Sequence, residues 1–229
     1  MPGVGGGLPM GGRPVFAAAR ALLVEQLVAS RYIRDPGVRD AFLAVPREAF
    51  VRPEDADDAY ADVPLPIGRG QTISAPSMIA IMLEEARLVP GDRVLEIGTG
   101  SGYHAALVAH LVGPQNVVSI ERIPRLAEWA RSNLARVGLS AVTVVVGDGS
   151  LGYPERAPYD CIMATAGAPD IPDPWRLQLS PRGRIIAPIG PRGGQVLVVA
   201  TRKPDGSLEV QEGTPCAFVP LIGARAWPE

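Results

Sequence analysis

The chain has 229 residues, enough for one domain with a full core, or one domain with a small appendage. Its 22 Lys and Arg nearly balance 24 Asp and Glu, so no large basic field points to nucleic acid. Cys161 and Cys216 form an isolated pair without metal-ligand spacing, and Arg20 and Glu25 interrupt the apolar stretch from Phe16 to Ala29 before it can span a bilayer. A reduced, cytoplasmic protein without a metal or a membrane partner is the reading these features favour.

Residues 1–13 are glycine-rich and lack a charged start followed by an apolar core, so they read as a flexible tail and not a signal peptide. From Pro14 to Ile33 the pattern is helical, with Phe16, Ala19, Leu23 and Leu27 on one face and Glu25 opposite. A short helix is expected over Val38–Ala44, after the Asp35-Pro36-Gly37 turn. An acidic, loop-like stretch follows from Pro53 to Asp62. The prolines and glycines of Pro64–Ser74 argue against regular structure there. Residues 14–74 thus read as an N-terminal helical cap with a loop, and 75–229 as the main domain.

A helix is expected from Ser74 to about Leu88. Beyond it strands and helices alternate. The strands are Arg93–Ile97, Val117–Glu121, Val142–Val146, Tyr159–Ala164 and Arg184–Ile189; the helices are Tyr103–Leu111, Pro124–Val137 and Pro174–Gln178. This alternation predicts an α/β fold, a mostly parallel sheet with helices on both faces. Near the end, Gly190–Gly194 separates Ile185–Ile189 from Val196–Thr201 as a hairpin turn would. A last strand is expected after Pro204-Asp205-Gly206.

The most informative stretch is Val94-Leu95-Glu96-Ile97-Gly98-Thr99-Gly100-Ser101-Gly102. A buried strand ends in an acid-bearing segment, glycines follow at alternate positions, and a helix begins near Tyr103. Glycine allows sharp turns and close approach of a ligand, and the helix start offers free N–H groups. A dinucleotide fingerprint would need a small residue where Tyr103 stands. The stretch resembles the first motif of class I S-adenosylmethionine-dependent methyltransferases, a Rossmann-like fold with a seven-stranded sheet ending in an antiparallel hairpin. That resemblance puts Glu96 close to the methionine end of S-adenosylmethionine, beside Gly98, Thr99, Gly100, Ser101 and Gly102.

Ligands of open α/β sheets bind beyond the carboxyl ends of the strands. Glu121 closes the second strand there, roughly 20 residues after the glycine turn, at the spacing of a ribose-binding acid. Its alternative is an exposed glutamate paired with Arg122 or Arg125; Arg122 is also counted with the cofactor residues. Asp148, between Gly147 and Gly149, is placed to accept from the adenine amino group, with an ordinary Asp-Gly turn as the alternative. Thr165 and Ala166 follow the fourth strand, where small residues leave room for a substrate.

Five segments in order narrow the resemblance: Val45–Val51, Leu65–Pro76, Leu95–Tyr103, Gly147–Gly149 and Phe218–Leu221. Together they look like the protein-L-isoaspartate O-methyltransferase family, whose members methylate the α-carboxyl of isoaspartyl residues in damaged proteins and peptides. The resemblance implies that Ser74 is the active-site residue and that Val219, Pro220 and Leu221 hold the substrate backbone. Gln71, Thr72 and Ile73 are expected to wrap the cofactor. Ser74 also precedes a helix, so its residue type alone allows an N-cap instead. His104 and His110 fall on the first sheet helix, where a structural role suffices. A dedicated peptide methyltransferase and a non-catalytic cofactor-binding protein are the competing readings. A monomer is expected.

Overall fold

The computed structural model describes residues 14–229, so the expected tail at 1–13 lies outside the described residues. Helices are α1 (Pro14–Ala29), α2 (Pro36–Ala44), α3 (Pro76–Ala86), α4 (Tyr103–Val112), α5 (Pro124–Arg136) and α6 (Asp173–Leu177). Strands are β1 (Leu65–Gly68), β2 (Gln71–Ile73), β3 (Val94–Ile97), β4 (Val117–Glu121), β5 (Thr143–Val146), β6 (Tyr159–Ala164), β7 (Leu179–Ile189), β8 (Gln195–Arg202) and β9 (Leu208–Cys216). Seven of them form one sheet in the order β5-β4-β3-β6-β7-β8-β9. From β5 to β7 neighbours run parallel; β8 and β9 close the sheet antiparallel. The expected class I methyltransferase architecture is therefore present.

Every residue of β3 and β4 is buried, as strands covered on both faces must be. Helix α4 is apolar almost all round and buries Tyr103 to Ala109 and Val112. A helix of that kind needs cover on its outer side. The N-terminal segment supplies it: Phe42 meets the Tyr103 ring edge-on at 6.4 Å, and Phe50 meets it at 5.6 Å. Arg47 is buried with them, its guanidinium 5.1 Å from the centre of the Tyr103 ring. Burial lowers the Arg47 pKa to about 10 and pushes the Tyr103 hydroxyl up to about 12.

Four expectations need correction. Helix α1 ends at Ala29, short of Ile33, because Arg31 adopts φ 61° and the chain folds back to bury Ile33. Pro53–Asp58 is a 3₁₀ turn. The Pro64–Ser74 stretch is not irregular: β1 and β2 pair antiparallel as a small separate sheet. Gly68, Arg69 and Gly70 all have positive φ, which a tight hairpin turn uses, and Pro66 sits in a strand with an open edge. The residues that speak against a central strand are those a hairpin is built from. Further along, β7 begins five residues earlier than expected, at Leu179.

Candidate active site

The sheet order reverses at β3. The chain runs outward through β4 and β5, then crosses back to β6 on the other side of β3. Ligands of such sheets bind at this switch point. The glycine loop leaves β3 there, and Thr165 follows β6.

The loop is tied from several sides. Gly98 and Thr99 both donate from their backbone N–H to the Ile120 carbonyl, at 2.8 and 3.2 Å. The Thr165 hydroxyl donates to the Gly98 carbonyl at 2.5 Å. Gly98 has φ 96°, and a Cβ there would stand 2.5 Å from Thr165 Oγ1, so only glycine fits. Gly100 has φ 55° and its missing side chain would meet Ile67 of β1 at 3.2 Å. From below, Asn133 Nδ2 donates to the Ser101 carbonyl at 2.9 Å.

Glu121 is buried, which removes the exposed-glutamate alternative. Its Oε2 accepts from the Gly100 N–H at 2.8 Å and its Oε1 from the Ile123 N–H at 2.9 Å. A carboxylate has about four acceptor sites, so two remain for a ligand. Arg122 pairs with Glu229 at the C-terminus and not with Glu121.

Two cavities flank the loop. The first is lined by Gln71, Thr72, Gly98, Gly100, Glu121, Arg122, Gly149, Thr165 and Ala166, and by Val219, Pro220 and Leu221. The second lies behind Thr72, Ile73 and Ser74 and touches Gly98, Thr99, Gly100, Ser101 and His104. They share Thr72, Gly98, Gly100 and Thr165. A groove lined by Pro64, Met78, Phe218 and Val219 reaches the same place through Thr72, Ser74 and Thr165. Ser74 therefore stands between the second cavity and the groove. It does not cap α3: the N-cap is Ala75, with no side-chain hydrogen bond.

Several expected residues stand elsewhere. Gly102 and Gly147 line neither cavity; Gly102 caps the start of α4, and Gly147 donates to the Glu121 carbonyl at 3.1 Å. Asp148 faces the C-terminal segment: it accepts from Ser150 N at 2.9 Å and from Ala224 N at 2.7 Å. Glu96 is wholly buried and lines neither cavity; it holds His104 and Ser119. Val219 O and Leu221 N are bonded to Gly167, which pins the segment beside β6.

Sequence reasoning did not find Asn133, Ser119 or the position of His104. Ser119 and His104 are polar residues within apolar buried runs, and Asn133 lies on the apolar face of amphipathic α5; that mismatch is the available signal. No group of three or more His, Cys, Asp or Glu side chains able to hold a metal ion occurs among the described residues.

Residues 18–226 match the family described as Protein-L-isoaspartate(D-aspartate) O-methyltransferase. The chain is 55% identical over 223 residues to the protein-L-isoaspartate O-methyltransferase of Hyperthermus butylicus, covering 93% of this chain and 92% of that one. It is 52% identical to that of Methanopyrus kandleri, covering 94% of this chain and 96% of the other. A crystal structure of a β-aspartate methyltransferase from Plasmodium falciparum, in complex with S-adenosyl-L-homocysteine, matches with a TM-score of 0.79 at 27% identity. That match covers 89% of this chain and 98% of the other.

Proposed function

Because the chain belongs to the protein-L-isoaspartate(D-aspartate) O-methyltransferase family, we infer that its residues at the strand ends carry out that family's reaction. The protein is an S-adenosylmethionine-dependent enzyme. It methylates the α-carboxyl of L-isoaspartyl residues in damaged proteins and peptides, and the ester starts their repair through a succinimide. When bound, S-adenosylmethionine supplies a methyl group activated on a sulfonium.

The residues present fit this cofactor. The two cavities share Gly98 and Gly100 in their walls, where a Cβ would crowd Thr165 and Ile67, two other wall residues. Glu121 keeps acceptor capacity for the ribose hydroxyls and also holds the loop. Gln71, Thr72 and Arg122 flank it, and Gly149, packed against Ile97 where a Cβ would collide, lines the adenine side of the first cavity. Thr99, Ser101 and Ile73 enclose the methionine end. Asp148 contributes to the adenine side through the C-terminal segment it holds, not by facing the first cavity.

An isoaspartyl carboxylate is already nucleophilic at neutral pH and needs no strong base. The Ser74 hydroxyl donates one hydrogen bond that orients the carboxylate and leaves its other oxygen free. Thr165 and Ala166 wall the reacting end, and Val219–Leu221 align the peptide. The chain's work is alignment and exclusion of water. We assign 14–74 as the cap that carries the active-site hairpin and 75–229 as the cofactor domain with its substrate-binding end. No helix among the described residues is long and apolar enough to cross a membrane. Free thiols at Cys161 and Cys216 support a cytoplasmic location. A monomer completes this reading.

One observation carries it: Thr165 lines both cavities and the groove, the glycine loop lines both cavities, and Ser74 lines the second cavity and the groove. The test is transfer of labelled methyl to two peptides that differ only by isoaspartate in place of aspartate. Base-labile label on the isoaspartyl peptide alone is the expected result. Equal labelling of both peptides refutes the assignment.

A further inference from the structure

His104 is the second residue of α4 and its side chain is 6% exposed. Nδ1 lies 2.7 Å from Glu96 Oε1. The other Glu96 oxygen accepts from the Ser119 hydroxyl, which in turn meets the Thr99 hydroxyl at 2.5 Å. The carboxylate is thus engaged from inside at both oxygens, and it reaches neither cavity. What it does is fix the ring: in the neutral imidazole, an Nδ1–H that donates to Glu96 leaves a lone pair on Nε2.

That nitrogen is buried and has no hydrogen-bond partner. Buried polar atoms seldom stay unpaired, and leaving one so costs about 1–3 kcal/mol. A purely structural role accounts for Nδ1 and leaves Nε2 unexplained. The ring lies on the wall of the second cavity, with Ser74, Thr99 and Ser101.

We propose that His104 binds the ammonium of the cofactor's methionine moiety through Nε2, with Glu96 behind the ring as its positioning residue. The inference rests on the cofactor reading above. A lone pair backed by a carboxylate suits a cationic N–H donor and opposes an anion. The moiety's carboxylate belongs with the N–H groups at the start of α4, where the helix dipole favours negative charge. The acid expected beside the methionine end therefore acts at one remove, through the imidazole.

The test is calorimetry with S-adenosylhomocysteine and with an analogue carrying hydrogen in place of its α-amino group. His104→Asn keeps a donor where Nδ1 stands and removes the acceptor at Nε2. The wild-type preference for S-adenosylhomocysteine over the analogue is expected to fall about tenfold or more in this variant. His104→Gln can set an amide oxygen near the Nε2 position and should recover part of the preference; it also serves if the Asn variant does not fold. The same preference in wild type and both variants overturns the proposal. Loss of affinity for both ligands alike overturns it too, since that is a general disturbance of the loop. Failure of the wild type to bind either ligand would instead remove the cofactor reading.

Discussion

The glycine loop and the β1–β2 hairpin face each other across the two cavities, and they are built on opposite principles. The loop has its backbone bonded to Ile120, Glu121, Asn133 and Thr165, and Thr99 and Ser101 are buried. The hairpin pairs mainly with itself, turns at exposed Arg69 and Gly70, and belongs to no larger sheet. A cofactor site benefits from donors fixed before the ligand arrives, because their ordering cost is already met by the fold. A segment that must admit a protein chain and then exclude water benefits from fewer ties. The difference places binding strength in the loop and access in the hairpin.

The largest effect should come from breaking the loop. Gly100→Val puts a branched side chain at positive φ, against Ile67 and into both cavities. Affinity for S-adenosylhomocysteine should fall by about 100-fold or more in calorimetry; near-normal affinity would show that the loop yields. Glu121→Ala comes next. It removes the acceptor for the Gly100 and Ile123 N–H groups as well as the ribose partner, so roughly a 10- to 100-fold loss is expected. An unchanged dissociation constant would mean the carboxylate only braces the loop, and weakly.

Ser74→Ala acts at the end of the hairpin and should separate the two regions. Cofactor affinity should stay within about twofold while kcat drops about tenfold, the worth of one hydrogen bond to a charged oxygen. Equal losses in both would place Ser74 in the cofactor site instead. The smallest and broadest test needs no substitution. In amide hydrogen exchange the β1 and β2 amides should open well before those of Gly98 and Gly100. Equal protection would erase the contrast between a rigid loop and a looser hairpin.

The sequence by itself determined the parallel sheet, the glycine loop and the glutamate that ends β4. Buried parallel strands read as apolar runs, and sharp turns against a ligand leave glycines at set positions; both are local demands written in local sequence. Tertiary structure alone decided what the polar residues do. Asp148, an Asp-Gly turn in sequence, is occupied by Ala224, 76 residues away. Glu96 is turned from both cavities toward His104 and Ser119, and Ser74 is released from capping because the N-cap of α3 is Ala75. The Pro64–Ser74 segment hid its hairpin because proline and glycine mark turns without saying whether the flanks pair. A hydrogen bond is spent on whichever partner the fold brings within about 3 Å, and that partner is set by packing between distant segments.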